Sequence, residues 1–269
     1  MGDKTSCAMR AKPKKRLGQI FLVDPNAQNK IVESACLKSD DRVLEIGPGK
    51  GVVTQKIIPL VRSLVAVELD PQLCEYLNEK FKDCDNFKVV HKDILKLNIR
   101  RYFRAGKIKL IGNIPYYIST QILEYLLSNS DYIEEAYLML QKEFAQRLVA
   151  VAADKDRSSL SCFVQYHAIP KILFFVKKGS FWPVPKVDSA FVRLKIRKEP
   201  PVSVKSKEKL FKIIRTSFMQ RRKTLRNSLS EIVPEDKLKD FFIFYSLDPN
   251  IRPQDMSLSD FANLANFLS

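Results

Sequence analysis

The 269-residue sequence is poor in several chemistries. It has one tryptophan, two histidines and eight glycines. Its five cysteines, at positions 7, 36, 74, 84 and 162, never fall in a CxxC spacing. With so few histidines to join them, no structural zinc site is expected, and the odd, scattered thiols fit a reducing compartment. No apolar stretch approaches the ~20 residues of a membrane span. No heptad run suggests a coiled coil, and the glycine content excludes collagen. No signal-peptide core is expected. Met1–Ser6 formally fits an acylation pattern, which is read as coincidence.

What is abundant is positive charge: 46 Lys+Arg against 30 Asp+Glu, a net +16. The excess is concentrated. Residues 1–20 carry six basic groups and one acidic, and residues 193–226 carry thirteen and two. The C-terminal 227–269 has three basic and seven acidic. Two short basic segments read as the footprint of a polyanion; a solvated basic surface is the bland alternative.

From about 24 to 153 strand-like and helix-like segments alternate. Strands are expected at Val43–Ile46, Leu64–Leu69, Phe87–His91, Ile108–Gly112 and Ala136–Leu140. Helices are expected at Val52–Leu60, at Pro71–Phe81, at Ser119–Leu127 with Ser119 as cap, and from Lys142 to about Ala153. Repeated units of this length imply a parallel, doubly wound sheet. Beyond 160, Ile169–Val176 and Ala190–Ile196 suggest an antiparallel pair at one end of the sheet, around a Pro-rich turn at Phe181–Lys186. Glu199-Pro200-Pro201 reads as a linker and 206–269 as short amphipathic helices. Leu123, Leu126 and Leu127 are read as core, and His91 and His167 as packing residues.

Residues 45–51, Glu-Ile-Gly-Pro-Gly-Lys-Gly, directly follow a strand. Glycines there let a backbone approach a ligand where a Cβ would collide. The spacing is GxGxG, not the dinucleotide GxGxxG, and no Lys-Ser/Thr pair follows, so a phosphate-cradling loop is excluded. Glu68 ends the next strand, where a carboxylate accepts from both ribose hydroxyls. Asp93 lies just past the third strand and suits an adenine amine. Ribose and adenine without phosphate fit S-adenosylmethionine. Asn113-Ile114-Pro115-Tyr116 follows the fourth strand. An aromatic amine is a poor nucleophile because its lone pair is delocalised into the ring. Acceptors at the amine hydrogens, here the Asn113 side-chain oxygen and a backbone carbonyl, favour pyramidal geometry. Tyr116 offers a ring face and Pro115 fixes the turn. A structural Asn-Pro turn with a core tyrosine is the alternative.

On these residues the chain resembles the small-subunit ribosomal RNA adenine N6-dimethyltransferases. The resemblance runs from about Arg16 to Ser269. It is carried by Gly18-Gln19-Ile20-Phe21-Leu22, Glu45–Gly51, Glu68-Leu69-Asp70, Asp93, Asn113–Tyr116, Leu140-Gln141-Lys142-Glu143, Phe181–Ser189 and Arg252-Pro253. It implies an α/β fold: a basic arm at 1–16, a Rossmann-like methyltransferase domain at 17–198 and a small all-helical domain at 199–269. It implies four methyl transfers onto two adjacent adenosines near the 3′ end of small-subunit rRNA, contributing to small-subunit maturation. The implied S-adenosylmethionine site comprises Gln19, Ile20, Leu22, Gly47, Gly49, Glu68, Asp93, Ile94 and Asn113. Asn113 and Tyr116 are the implied catalytic pair, with Pro115, Tyr116 and Phe181 around the flipped adenine. Arg221, Arg222 and Lys223, with Arg226, read as an RNA-backbone patch against the alternative of a solvated helix face. One departure is Ile20, where the family usually has Asn; any contact there must come through backbone or packing. The implied partner is small-subunit rRNA or a precursor of the small subunit. A monomer is expected, without membrane contact, in the cytoplasm or else an organellar matrix or stroma. Three other readings are a large-subunit rRNA methyltransferase, a non-catalytic assembly or transcription factor on the same fold, and a DNA adenine methyltransferase. Pro48 and the Phe181–Pro185 form disfavour the first. The intact Glu68, Asp93 and Asn113 disfavour the second, and the lack of a sequence-reading domain disfavours the third.

Overall fold

Val43, Leu44 and Ile46 are apolar on both faces of their strand, the pattern of a strand covered on two sides. The computed structural model, which describes residues 13–14, 17–103, 106–220 and 222–269, places this strand third in a seven-stranded sheet, flanked on both sides. In chain order the first elements are β1 (Phe21–Leu22), α1 (Pro25–Ser34), β2 (Arg42–Ile46), α2 (Thr54–Ile57), β3 (Ser63–Glu68), α3 (Pro71–Lys80) and β4 (Phe87–His91). They are followed by α4 (Ile99–Tyr102), β5 (Ile108–Asn113), α5 (Ser119–Ser128), β6 (Ile133–Gln141), α6 (Lys142–Val149) and α7 (Ser159–His167). The last are β7 (Ala168–Val176), β8 (Phe181–Trp182), β9 (Ser189–Ile196), α8 (Lys207–Met219), α9 (Leu225–Leu229), α10 (Glu235–Phe244) and α11 (Leu258–Phe267).

The sheet order is β4-β3-β2-β5-β6-β9-β7. The first five strands run parallel and β9 runs antiparallel to β6. The chain leaves β2 toward β3 and β4, then returns to β2's other side through β5. Strand order therefore reverses between β2 and β5, where open α/β sheets form a ligand crevice at the carboxyl ends. β1 pairs with β8 as a separate two-stranded ribbon.

Two compact units result. One holds the chain up to Lys142 together with Ile172–Lys195; the other holds Glu143–Lys171 and Ile196–Ser269. The division does not follow the expected cut between 198 and 199. Helices α6 and α7 go with the C-terminal helices because the apolar face of α7, Cys162 and Tyr166, packs into one core with Leu210, Phe211 and Phe261. The first unit has its own core around Ile31, Val43, Leu64, Tyr137 and Phe191.

Local expectations changed in several places. Ser119 does not cap α5: the cap position is Ile118, which makes no side-chain cap bond, and the Ser119 hydroxyl turns back to the Pro115 carbonyl. The expected helix at 52–60 is one α-turn followed by a 3-10 turn containing Pro59, since proline interrupts the hydrogen-bond ladder. Helix α6 ends at Val149. α7, not anticipated, is fixed by a Ser158/Ser161 capping box. His91 is exposed, with Nε2 3.2 Å from the Leu69 carbonyl. His167 does pack, its ring stacked on Phe211. Burial, helped by the nearby Lys207 charge, pushes its pKa down to about 4. Leu123, Leu126 and Leu127 are buried as expected. The expected basic arm at 1–16 lies outside the described residues except at 13 and 14.

Candidate active site

Four adjacent carboxyl ends supply the site. Gly47 follows β2, Glu68 ends β3, Asp93 lies beyond β4 and Asn113 ends β5. The register holds them level: Ile46 pairs with both Val67 and Gly112, and Glu68 with His91. Gly47 has φ +66°, and a Cβ there would come 3.3 Å from the Asn113 carbonyl oxygen. Only glycine lets the two strand ends approach this closely in that conformation.

One cavity of about 360 Å³ opens at this edge, within the ~300–1,000 Å³ of small-molecule pockets. It brings together Gln19, Ile20, Leu22, Gly47, Gly49, Glu68, Asp93, Ile94, Asn113, Pro115 and Tyr116. Glu68 is 7% exposed. Its Oε1 accepts from the backbone N–H groups of Leu69 (2.8 Å) and Asp70 (2.9 Å), and Oε2 takes a long 3.3 Å bond from Gly49. Burial raises its pKa against the pull of these three donors. Oε1 is thus anchored, and Oε2 retains acceptor capacity toward the cavity. The Asp93 side chain accepts from Leu95 N–H at 3.0 Å, which orients the carboxylate, and Ile94 beside it is buried.

Glu45, under the glycine loop, is a further carboxyl in the lining. Burial raises its pKa to about 7, opposed by the Thr54 hydroxyl that donates to it at 2.7 Å and assisted by the charge of Glu68.

Asn113 is held in one orientation. Its Nδ2 donates to the Ile20 carbonyl at 3.0 Å; a flipped amide would set oxygen against oxygen. Oδ1 is thereby left as the acceptor. Ile114, 1% exposed, anchors the turn in the core. The Tyr116 hydroxyl lies 2.6 Å from Ser189 Oγ, which pins a half-buried ring. Burial raises its pKa, against the Ser189 bond.

The segment from Leu17 to Val23 walls the cavity as a strap, tied to the main body by contacts the sequence reading missed. Asp70 is buried and caps α3. It receives Lys14 Nζ at 2.7 Å and Gln19 Nε2 at 3.0 Å, while Gln19 Oε1 accepts from Lys14 N–H at 2.8 Å. Gln19, expected on the cofactor, spends its amide on this tie. Ile20 acts through its backbone carbonyl on Asn113, and Leu22 is buried. Pro71 signalled the start of a helix, but nothing in the sequence signalled the strap's anchor at Asp70.

Phe181 must be corrected. Expected against the adenine opposite Tyr116, it is 1% exposed and sits in the core of the first unit. Side chains alternate along a strand, so its neighbour Trp182 lines the cavity instead. The parity of β8 was the available signal. In the second unit Arg222 and Lys223 are exposed, Arg226 is paired with Glu235, and Arg221 lies outside the described residues.

Comparisons with known proteins point to one family. Residues 10–269 match the family described as ribosomal RNA adenine dimethylase. The ribosomal RNA small subunit methyltransferase A of Clostridium botulinum strain Okra is 37% identical over 254 residues, covering 94% of this chain and 92% of that protein. Its namesake in Enterococcus faecalis is 38% identical over 265 residues, covering 95% and 90%. Among solved structures, a dimethyladenosine transferase from Plasmodium falciparum superposes with a TM-score of 0.76 at 26% identity, covering 91% of this chain and 95% of that one. The 23S rRNA methyltransferase ErmE gives 0.74 at 27%, covering 92% and 99%.

Proposed function

The chain belongs to the ribosomal RNA adenine dimethylase family, and from that premise we propose that it dimethylates the N6 amines of two adjacent adenosines near the 3′ end of small-subunit rRNA. S-adenosylmethionine is the methyl donor. The observation that carries the reading is the convergence of Gly47, Glu68, Asp93 and an orientation-locked Asn113 on one cavity. The small-subunit relatives, at 37–38% identity over nine-tenths of both chains, favour small-subunit over large-subunit rRNA. The intact site favours an enzyme over a non-catalytic factor.

The cavity fits the donor. The Gly47 turn leaves room for a ligand against backbone. Glu68 Oε2 would accept from the ribose hydroxyls and Asp93 from the adenine amine, and Ile94 would give the adenine an apolar floor. The strap, held to Asp70 by Gln19, walls the cavity in which the donor would sit. When bound, the donor supplies an electrophilic methyl on a sulfonium leaving group.

The protein's own work is positioning. Tyr116 stacks on the target base. Asn113 Oδ1 and a backbone carbonyl of the turn accept the two amine hydrogens, so the nitrogen lone pair leaves the ring and points along the line of transfer. As the new N–C bond forms, the nitrogen becomes cationic and its proton acidic; it passes to solvent, and no strong base is required. Rotation of the once-methylated amine presents the second hydrogen for a second cycle. Among the described residues no helix is long and apolar enough to cross a membrane; that the protein works in the cytoplasm as a monomer is part of the proposal.

Calorimetry of donor binding tests the site. Glu68→Ala removes the ribose acceptor, worth ~1.5–3 kcal/mol for bonds to a charged group, and should weaken binding more than tenfold. Unchanged affinity contradicts the assignment.

A further inference from the structure

The β1–β8 ribbon has two unlike faces. Leu22 and Phe181, opposite each other, are buried. Phe21 and Trp182, the other cross-strand pair, both line the cavity. Trp182 is 47% exposed, and the Lys50 ammonium stands 6.0 Å from its ring centroid and 5.5 Å from that of Phe21. Glu68, Asp93 and the glycine turn already provide for the donor, and Tyr116 for the target base. A half-exposed indole beside a cation at the mouth has no role among these.

An RNA strand that delivers a flipped adenine into the cavity leaves the adjoining base at its mouth, stripped of a stacking partner. Aromatic faces with cations alongside are how proteins hold such bases and their phosphates. We infer that Trp182 and Lys50 form a rim subsite for the nucleotide next to the one being methylated, its base on the indole and its phosphate against the Lys50 ammonium. This rests on the adenine-methylating reading above. It also gives the chain a way to hold one adenosine of an adjacent pair while the other reacts.

Trp182 is the sole tryptophan, so its emission reports the subsite directly. The intact protein with S-adenosylhomocysteine is titrated with a labelled single-stranded RNA containing two adjacent adenosines, and with versions in which either adenosine is an abasic ribose. Anisotropy of the label measures binding. The intact pair is expected to quench Trp182 at saturation, and the abasic versions to bind without quenching it. In parallel, methyl transfer to under-methylated small subunits is measured for Trp182→Ala and Trp182→Phe. Loss of one base–aromatic stack corresponds to about 5- to 150-fold, expected mainly in KM, with Trp182→Phe restoring most of it. Unchanged emission at saturation, equal quenching by the abasic RNAs, or a Trp182→Ala variant within twofold of wild type in kcat/KM overturns the subsite and leaves the methyltransferase reading intact. Failure of the wild-type protein to methylate adenine in small subunits overturns the reading itself.

Discussion

Replacing Asn113 with alanine removes two things at once, and the structure separates their sizes. The first is the 3.0 Å bond from Nδ2 to the Ile20 carbonyl, whose loss leaves a partly buried acceptor unpaired. That costs ~1–3 kcal/mol of stability and loosens one tie of the strap. The second is Oδ1, the acceptor fixed at the reacting amine. Removing a single preorganised group of this kind lowers kcat by roughly 10²–10³. The remaining strap ties, Lys14 and Gln19 to Asp70, are untouched, and Glu68 and Asp93 still hold the donor. Asn113→Ala should therefore unfold a few degrees earlier, bind donor and RNA close to normally, and lose nearly all turnover. Initial rates of labelled-methyl transfer to under-methylated small subunits, at saturating donor, measure the loss; calorimetry and filter retention measure the binding. A folded variant turning over within threefold of wild type refutes the amine-acceptor role and leaves the turn merely structural.

Glu45 gives a pH signature. Its folded pKa of about 7 lies above its ordinary 4.5, so the folded protein binds the extra proton and stability falls as pH rises from 4.5 through 7, by ~3 kcal/mol. Glu45→Gln should match wild type most closely near pH 5 and gain relative to it by pH 8 in urea titrations; a pH-independent difference contradicts the shift. Arg222→Ala/Lys223→Ala should weaken RNA binding and flatten the slope of log affinity against log salt by about 1.4, with donor affinity unchanged. An unaltered slope would mark both as solvated charges.

The parallel sheet was legible because β3 is an apolar run up to Glu68, and β2 and β5 are mainly apolar, interrupted inside by Glu45 and Lys109, up to Gly47 and Asn113, close to what a buried parallel strand requires. The candidate site residues Gly47, Glu68 and Asn113 sit at those ends, so motif and topology carried the same information. What escaped depended on parity and on distant partners. Phe181 and Trp182 are both aromatic, and only the pairing with Phe21 and Leu22 decides which one faces the cavity. Ser119 reads as a cap, but its hydroxyl is drawn to the Pro115 carbonyl. Asp70 meets Lys14 and Gln19 more than fifty residues away in sequence, a separation that local pattern does not reach. The boundary between the two units was misplaced because α7 contributes Cys162 and Tyr166 to the second core while β9, later in the chain, completes the sheet.

The most direct test incubates the protein with labelled S-adenosylmethionine and small ribosomal subunits lacking the modification, then maps the labelled nucleosides by digestion and mass spectrometry. The account requires N6,N6-dimethyladenosine at two adjacent positions near the 3′ end of the small-subunit rRNA, and none when Asn113 is alanine. Label on large-subunit rRNA alone, on an atom other than N6, or undiminished in the Asn113→Ala variant would contradict it.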